Sequence, residues 1–299
     1  LYYTLTGLGA GAGWAPVMAL AQRWVSPKRK GAALAFVDAG SSLAVMAAGA
    51  FIPLAVNMGS WKTGWAFLGI MCFVFALYNI IFIRHRPKTA ERKSYQPSST
   101  SSAWSRLQYK KVLTDRKFWL IGTAYVFNCF AILVPITFIS SYAVEELSYT
   151  YRTATLLVTV IGLSGTVGKL ILGPISDKAG RIKIMILAEA LVAGGALGMA
   201  FSFSWMLIIF TVIFSIGYGS VWSLYATCAS DFFSKESPGG VIGLWTAYSG
   251  IGSIMGPIIA GFAADQTGTL VSAFLVSTAA GILSLVLLIP MLKEKTLMD

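Results

Sequence analysis

Charge is what this sequence has least of. Asp, Glu, Lys and Arg together make up 12% of its 299 residues, about half the share of an ordinary soluble domain. Histidine occurs once, at His85 in a basic stretch. Cysteine occurs three times, at Cys72, Cys129 and Cys228, each inside an apolar run and with no paired spacing. These counts point to no disulfide framework and no metal site. No nucleophile, base and acid cluster within the apolar runs, so no catalytic residues are assigned, an enzyme is not expected, and no cofactor is called for.

Apolar residues, by contrast, reach 56%, and the mean hydropathy is +0.73. They fall in long blocks rather than short stripes. A helix needs roughly 20 apolar residues to cross the ~30 Å hydrocarbon core. Only helices and closed barrels satisfy their backbone in lipid, and blocks this long are too long for barrel strands of about ten residues. The expected fold class is therefore an all-α integral membrane protein. Nine spans are expected, at 1–22, 32–56, 64–83, 118–142, 153–175, 182–203, 205–229, 239–264 and 270–291. The chain opens on Leu1 directly inside an apolar block, without a basic n-region or cleavage site, so the block is not a signal peptide and the sequence reads as a fragment. Between the third and fourth spans, 84–117 carries RHRPKTAERK and SYQPSSTSSAW. It is basic, rich in Pro and Ser and without apolar periodicity, as a flexible linker is.

Lysine and arginine set the orientation. The linker, the C-terminus and the gaps on the same side hold 20 of them, against Lys62 and Arg152 on the other. Linker and C-terminus are thus expected in the cytoplasm, and the protein in a cell membrane (inner or plasma). The net charge of +11 runs along membrane edges, so it marks topology and lipid contact rather than a nucleic-acid surface.

The chain also resembles itself at an offset of 208 residues. LGAGAGWAPVMALAQRWVSPK (8–28) lies over IGYGSVWSLYATCASDFFSKE (216–236), pairing Gly9 with Gly217, Gly11 with Gly219 and Trp14 with Trp222; Gly31 with Gly239 follows. Glycine-rich spans of any origin share such spacings, because small residues let helices pack closely. A true repeat makes 118–299 a complete six-helix bundle, 1–83 the last three helices of a related bundle, and implies three helices upstream.

GPISDKAGRIK (173–183) interrupts the apolar pattern between the fifth and sixth spans. Gly173, Asp177, Lys178, Gly180, Arg181 and Lys183 follow the loop signature of the major facilitator superfamily, which the chain resembles along essentially its whole length. GLGAGAGWAP, RWVSPKRKG and SPGGVIGLWTAYSGIGSIMGPIIAG resemble it too. The resemblance implies the superfamily fold of twelve helices, with helices 4–12 present here, and two bundles rocking about a midplane site. It implies a monomeric secondary transporter, not an enzyme, and makes the loop a gating motif. Gly173-Pro174 is expected to loosen the helix end and Gly180 to make the turn. Asp177 is expected to accept hydrogen bonds from a neighbouring helix N-terminus. A plain basic turn is the alternative.

SSYAVEELSYTYRTATLLVTVIGLSGTVGKLILGPISD is most similar to the monocarboxylate and oxalate/formate transporter branch. That similarity implies Lys169 as an anchor for a substrate carboxylate. The alternatives are that Lys169 snorkels to the interface or pairs with a carboxylate. The eighth span holds no second cation, which implies a monoanion rather than a dianion. The implied partners are a small organic anion, H⁺ and the lipid bilayer. Asp38 and Glu189 are candidates for proton coupling, because ionisable residues inside spans are functional candidates by default; a helix–helix hydrogen bond or salt bridge is the alternative for each. Trp14, Tyr125, Asn128, Trp222, Tyr225, Trp245 and Tyr248 are candidates for lining the substrate cavity. Glu145 and Glu146 are expected as solvated loop charges. A carrier of the same fold for a sugar, drug or nitrate, or a receptor without flux, stays open, and residues 1–299 alone are not expected to transport.

Overall fold

The structure is a computed structural model that describes residues 13–22, 24–26, 29–82, 106–233 and 238–294. The helices are α1 (13–22), α2 (Lys30–Met58), α3 (Trp61–Phe82), α4 (Arg106–Thr114), α5 (Arg116–Glu145), α6 (Tyr151–Ala179), α7 (Arg181–Ala200), α8 (Met206–Phe232), α9 (Pro238–Thr267) and α10 (Val271–Leu288). A 3₁₀ turn, Ile289–Lys293, follows α10. No strand occurs among the described residues. Eight of the helices are long and apolar enough to cross a membrane, and each matches an expected span to within a few residues. Most of the expected first span, 1–22, and of the linker lies outside the described residues.

Local chemistry sets the helix ends. Asp115 caps α5 by accepting the Lys117 N–H at 2.8 Å, and Thr150 caps α6 by accepting the Thr153 N–H at 3.2 Å; such caps satisfy amides the first turn leaves free. Pro53, Pro135, Pro174 and Pro257 all sit inside helices, which membrane helices tolerate when neighbours satisfy the freed carbonyls.

Three expectations about loops change. Gly173-Pro174 does not end a helix: α6 runs on to Ala179, and Gly180 alone, at φ +98°, turns the chain into α7. The linker also has structure at its end, where Arg106–Thr114 is helical. Glu146 is not merely solvated. Its carboxylate accepts the Leu270 N–H and, at 2.7 Å, the Thr269 hydroxyl, which places a negative charge at the positive end of α10.

Helices α5 to α10 form one bundle. α10 packs against both α5 and α7, α8 against α6 and α7, and α9 against α5. Hydroxyls tie the layers together: Ser277 donates to Ala131 O and Ser284 to Ala124 O, both at 2.7 Å. Each such bond is worth about 0.6 kcal/mol in a membrane protein. α3 contacts α2 and otherwise exposes apolar side chains such as Phe73 and Ile80.

An extensive close-packed seam joins α2 to α6, antiparallel. A methyl added to Gly162 would lie 2.3 Å from Met46 N, one on Gly49 2.7 Å from Thr159 N, and one on Gly173 2.4 Å from Ala35 Cβ. Only residues without a side chain let the two backbones approach this closely. Gly162→Val is therefore expected to cost about 1–3 kcal/mol by forcing the helices apart. Thermal unfolding of the purified protein in detergent measures it; an unchanged midpoint would mean that the seam yields without cost.

Candidate functional site

Halfway along this seam, Lys169 of α6 faces Asp38 of α2. The Lys169 ammonium lies 2.9 Å from Asp38 Oδ2 and donates to Asp38 O at 2.8 Å and to Ser41 Oγ at 2.6 Å. The Lys169 side chain is 0% exposed and that of Asp38 2%. The ammonium, with three N–H donors, has three oxygens within 2.9 Å, two of them in hydrogen bonds and Asp38 Oδ2 as its ion-pair partner. Asp38 Oδ1 also accepts the Trp14 indole N–H at 3.3 Å. Of the two alternatives to an anchoring role, snorkelling does not occur in this conformation; pairing does.

One end of the seam holds a second cluster. Asp177 Oδ1 and Oδ2 accept the Gly31 and Ala32 N–H groups, each at 2.9 Å. Those amides belong to the first turn of α2, where donors lack intrahelical partners and the helix dipole favours an anion. Arg181 contacts Asp177 through Nη2 at 2.5 Å, Asp231 through Nε at 2.9 Å and Ser176 through Nη1 at 2.6 Å. Two carboxylates thus share one buried guanidinium, whose planar fork can serve several acceptors at once. Gln22 reaches Ala226 O at 3.0 Å, and Lys30 reaches Ser230 Oγ. Gly31 must be glycine here, because an added methyl would lie 2.2 Å from Arg181 Nη1 and 2.6 Å from Gly173 O. Lys178 and Lys183 of the motif are exposed.

A cavity of about 190 Å³ lies between α1, α5, α8 and α9, lined by Trp14, Tyr125, Cys129, Trp222, Thr246, Ser249, Gly250 and Ser253. Its wall carries aromatic rings, hydroxyls and a thiol. The hydroxyls of Thr246, Ser249 and Ser253 donate to carbonyls of their own helix, so their lone pairs are what they offer the cavity. Trp14 links this space to the buried ion pair, through its N–H bond to Asp38.

Trp14, Tyr125 and Trp222 are the expected lining residues found on the cavity wall. The other four have different partners. Trp245 donates to Phe118 O at 3.1 Å and stacks on Phe118. Tyr248 lies edge-on to Trp119, its hydroxyl 3.4 Å from Thr123 Oγ1. Asn128 and Tyr225 both bond Glu189, Tyr225 at 3.1 Å. Glu189 itself is 0% exposed. Sequence reasoning missed Cys129, Ser249, Ser253 and Asp231. Small polar residues carry no signal of their own inside apolar helices, and Asp231 acquires meaning only when Arg181 is brought beside it.

The comparisons with known proteins bear on the fold. The family model described as the Major Facilitator Superfamily matches residues 1–203 and again 121–297. The chain belongs to the Major Facilitator Superfamily. A hexuronate transporter from Bacillus subtilis is 20% identical over 285 residues, covering 91% of this chain and 68% of that protein. Monocarboxylate transporter 12 from Xenopus laevis is 24% identical over 304 residues, covering 93% of this chain and 65% of that protein. The chain thus spans about two thirds of the length of each. The human organic anion transporter MFSD10 has the same fold, with a TM-score of 0.71 at 15% identity, over 92% of this chain and 67% of that one. As a superfamily member the chain is a multi-pass membrane protein.

Proposed function

We propose that this superfamily chain carries a small organic monoanion by alternating access, with Lys169 as the anchor for the substrate carboxylate and H⁺ as the coupling ion. The observation that carries this reading is the Lys169–Asp38 pair. It is a fully buried cation on the seam between 1–83 and 118–299, joined through Trp14 to an aromatic cavity. An intramembrane charge is expensive and a functional candidate by default, and its link to a cavity supports the reading as a substrate anchor. Asp38 holds Lys169 while the site is empty. An incoming carboxylate takes its place on the ammonium, and Asp38 keeps its bonds to Trp14 and Ser41.

Two related bundles, 1–83 and 118–299, joined by a linker at 84–117, belong to this reading; that one family model matches twice, over the overlapping stretches 1–203 and 121–297, is in keeping with an internal repeat. With the basic face in the cytoplasm, the Asp177–Arg181–Asp231 cluster closes the cytoplasmic end of the seam. It favours the state whose cavity faces outward. Substrate binding has to reorganise this cluster for the bundles to rock.

A second reading has one observation in its favour: among the described residues, no charged side chain lines the cavity. Rings and hydroxyls alone suit a neutral polyol such as a sugar. Uptake into proteoliposomes by the protein that carries the three helices expected upstream decides between the two, with labelled formate, lactate, oxalate and fucose, each with and without an inward proton gradient. The expected result is uptake of formate or lactate that the gradient increases, and little of oxalate. Fucose uptake alone would favour the second reading. No flux of any of the four would overturn both.

A further inference from the structure

Glu189, on α7, has no role in anchoring the anion, yet it is the most completely enclosed acid in the bundle. Its side chain is 0% exposed, and it forms no ion pair among the described residues. The groups that face it are few. From α5 come Asn128, whose Nδ2 bonds Oε2, and the titratable Tyr125 and Cys129 of the same helix face. From α8 comes Tyr225, whose hydroxyl donates to Oε1. α10 brings Ser284, committed to Ala124 O. The buried cation of α6, Lys169, is turned to α2 instead. A carboxylate taken out of water with no cation and two neutral donors bears most of its desolvation cost uncompensated.

The cage suits a carboxylic acid as well as a carboxylate. Asn128 Oδ1 is buried without a hydrogen-bond partner. With the amide turned by half a revolution, that oxygen accepts the O–H of a protonated Glu189. The Tyr225 hydroxyl, which can donate or accept, stays in place either way. Asn128 thus offers a donor to one protonation state and an acceptor to the other. The cage also borders the cavity. The Tyr225 ring stacks on Tyr125 at 4.1 Å, and Tyr125 and Cys129 form cavity wall, one helical turn or less from Asn128. Asp38, by contrast, is held by an ammonium.

We propose that Glu189 is the proton-binding site of this carrier. A proton from cavity water adds to a carboxylate oxygen of Glu189, Asn128 turns its Oδ1 to the new O–H, and the reverse returns the proton to the cavity of the opposite-facing state. The coupling role rests on the transporter reading above; the proton site itself does not.

Difference infrared spectroscopy on the purified full chain in vesicles, taken between acid and alkaline buffer, reads the protonated carboxyl directly. A carbonyl stretch is expected that shifts in deuterium oxide, disappears in Glu189→Gln and changes frequency in Tyr225→Phe, which leaves the acid in place but removes one donor. Absence of any such band sensitive to both variants would overturn the proposal. The coupling arm uses labelled lactate and the protein that carries the three helices expected upstream, unaltered or with the substitution. Glu189→Gln is expected to abolish the increase in accumulation that a proton gradient gives, and a gradient effect as large as in the unaltered protein would refute coupling through this residue. Lack of lactate flux in the unaltered protein, with the infrared band present, would sink the monoanion reading and leave the proton site standing.

Discussion

An Arg181→Ala protein is expected to lose about 3–5 kcal/mol of stability, the cost of removing one partner from a buried charge cluster. Arg181 contacts both Asp177 and Asp231, and its own side chain is 3% exposed. Without it, two carboxylates remain close together with only Gly31 N–H, Ala32 N–H and the distal Lys30 for compensation. Unfolding of the purified protein in detergent, followed through its tryptophan fluorescence, measures the loss. Arg181→Lys is expected to recover only part of it, because a point charge cannot serve Asp177, Asp231 and Ser176 together. Under the transport reading the same change loosens the closed end of the seam. Each 1.4 kcal/mol withdrawn from that end shifts the closed-to-open ratio about tenfold. Accessibility of a cysteine introduced at Ala35, beneath Gly173, should rise accordingly. Full stability in Arg181→Ala would show that the two aspartates do not depend on the guanidinium, and the latch would have to be abandoned.

The architecture was legible because it rests on length and hydropathy, which are properties of runs. Eight helices stand within a few residues of the expected spans. The bond from Asp177 to a helix N-terminus was legible for a similar reason: a carboxylate beside a turn has few partners other than free amides, and the structure supplies those of Gly31 and Ala32. Partnerships across the bundle were not legible. Nothing in FVDAGSS and TVGKLIL says that Asp38 and Lys169, 131 positions apart, meet. That follows from the antiparallel seam, which small residues such as Gly49, Gly162 and Gly173 permit but do not announce. Aromatic residues misled in one direction. Trp245 and Tyr248 are as large and as amphipathic as Trp14 and Trp222, but rotation of α9 turns them onto Phe118 and Trp119. Helical phase within an apolar run of this kind cannot be read from composition, because nearly every position is apolar. Glu146 misled in the other direction, since a loop acid becomes a cap only when the start of α10 comes to it.

Lys169 and Asp38 should give the largest coupled effect in the protein. Lys169→Met leaves Asp38 buried without a cation, and Asp38→Leu leaves the ammonium with only the Asp38 backbone carbonyl and Ser41. Each single change is expected to cost about 3–5 kcal/mol. The double variant removes both charges and puts apolar groups of similar volume on the seam, so most of that stability should return. An apolar replacement of a buried ion pair is often neutral or stabilising. Transport should behave differently. If Lys169 anchors the substrate carboxylate, the double variant folds and still lacks the anchor. A lost charge pair to substrate of 2–5 kcal/mol lowers lactate uptake about 30-fold or more. A structural pair and a substrate anchor are thus separated in one protein: stability is rescued and flux is not. Lactate uptake within twofold of the unaltered protein in the stable double variant would mean that the pair only holds α2 against α6, and the anion would have to be held by the uncharged cavity wall.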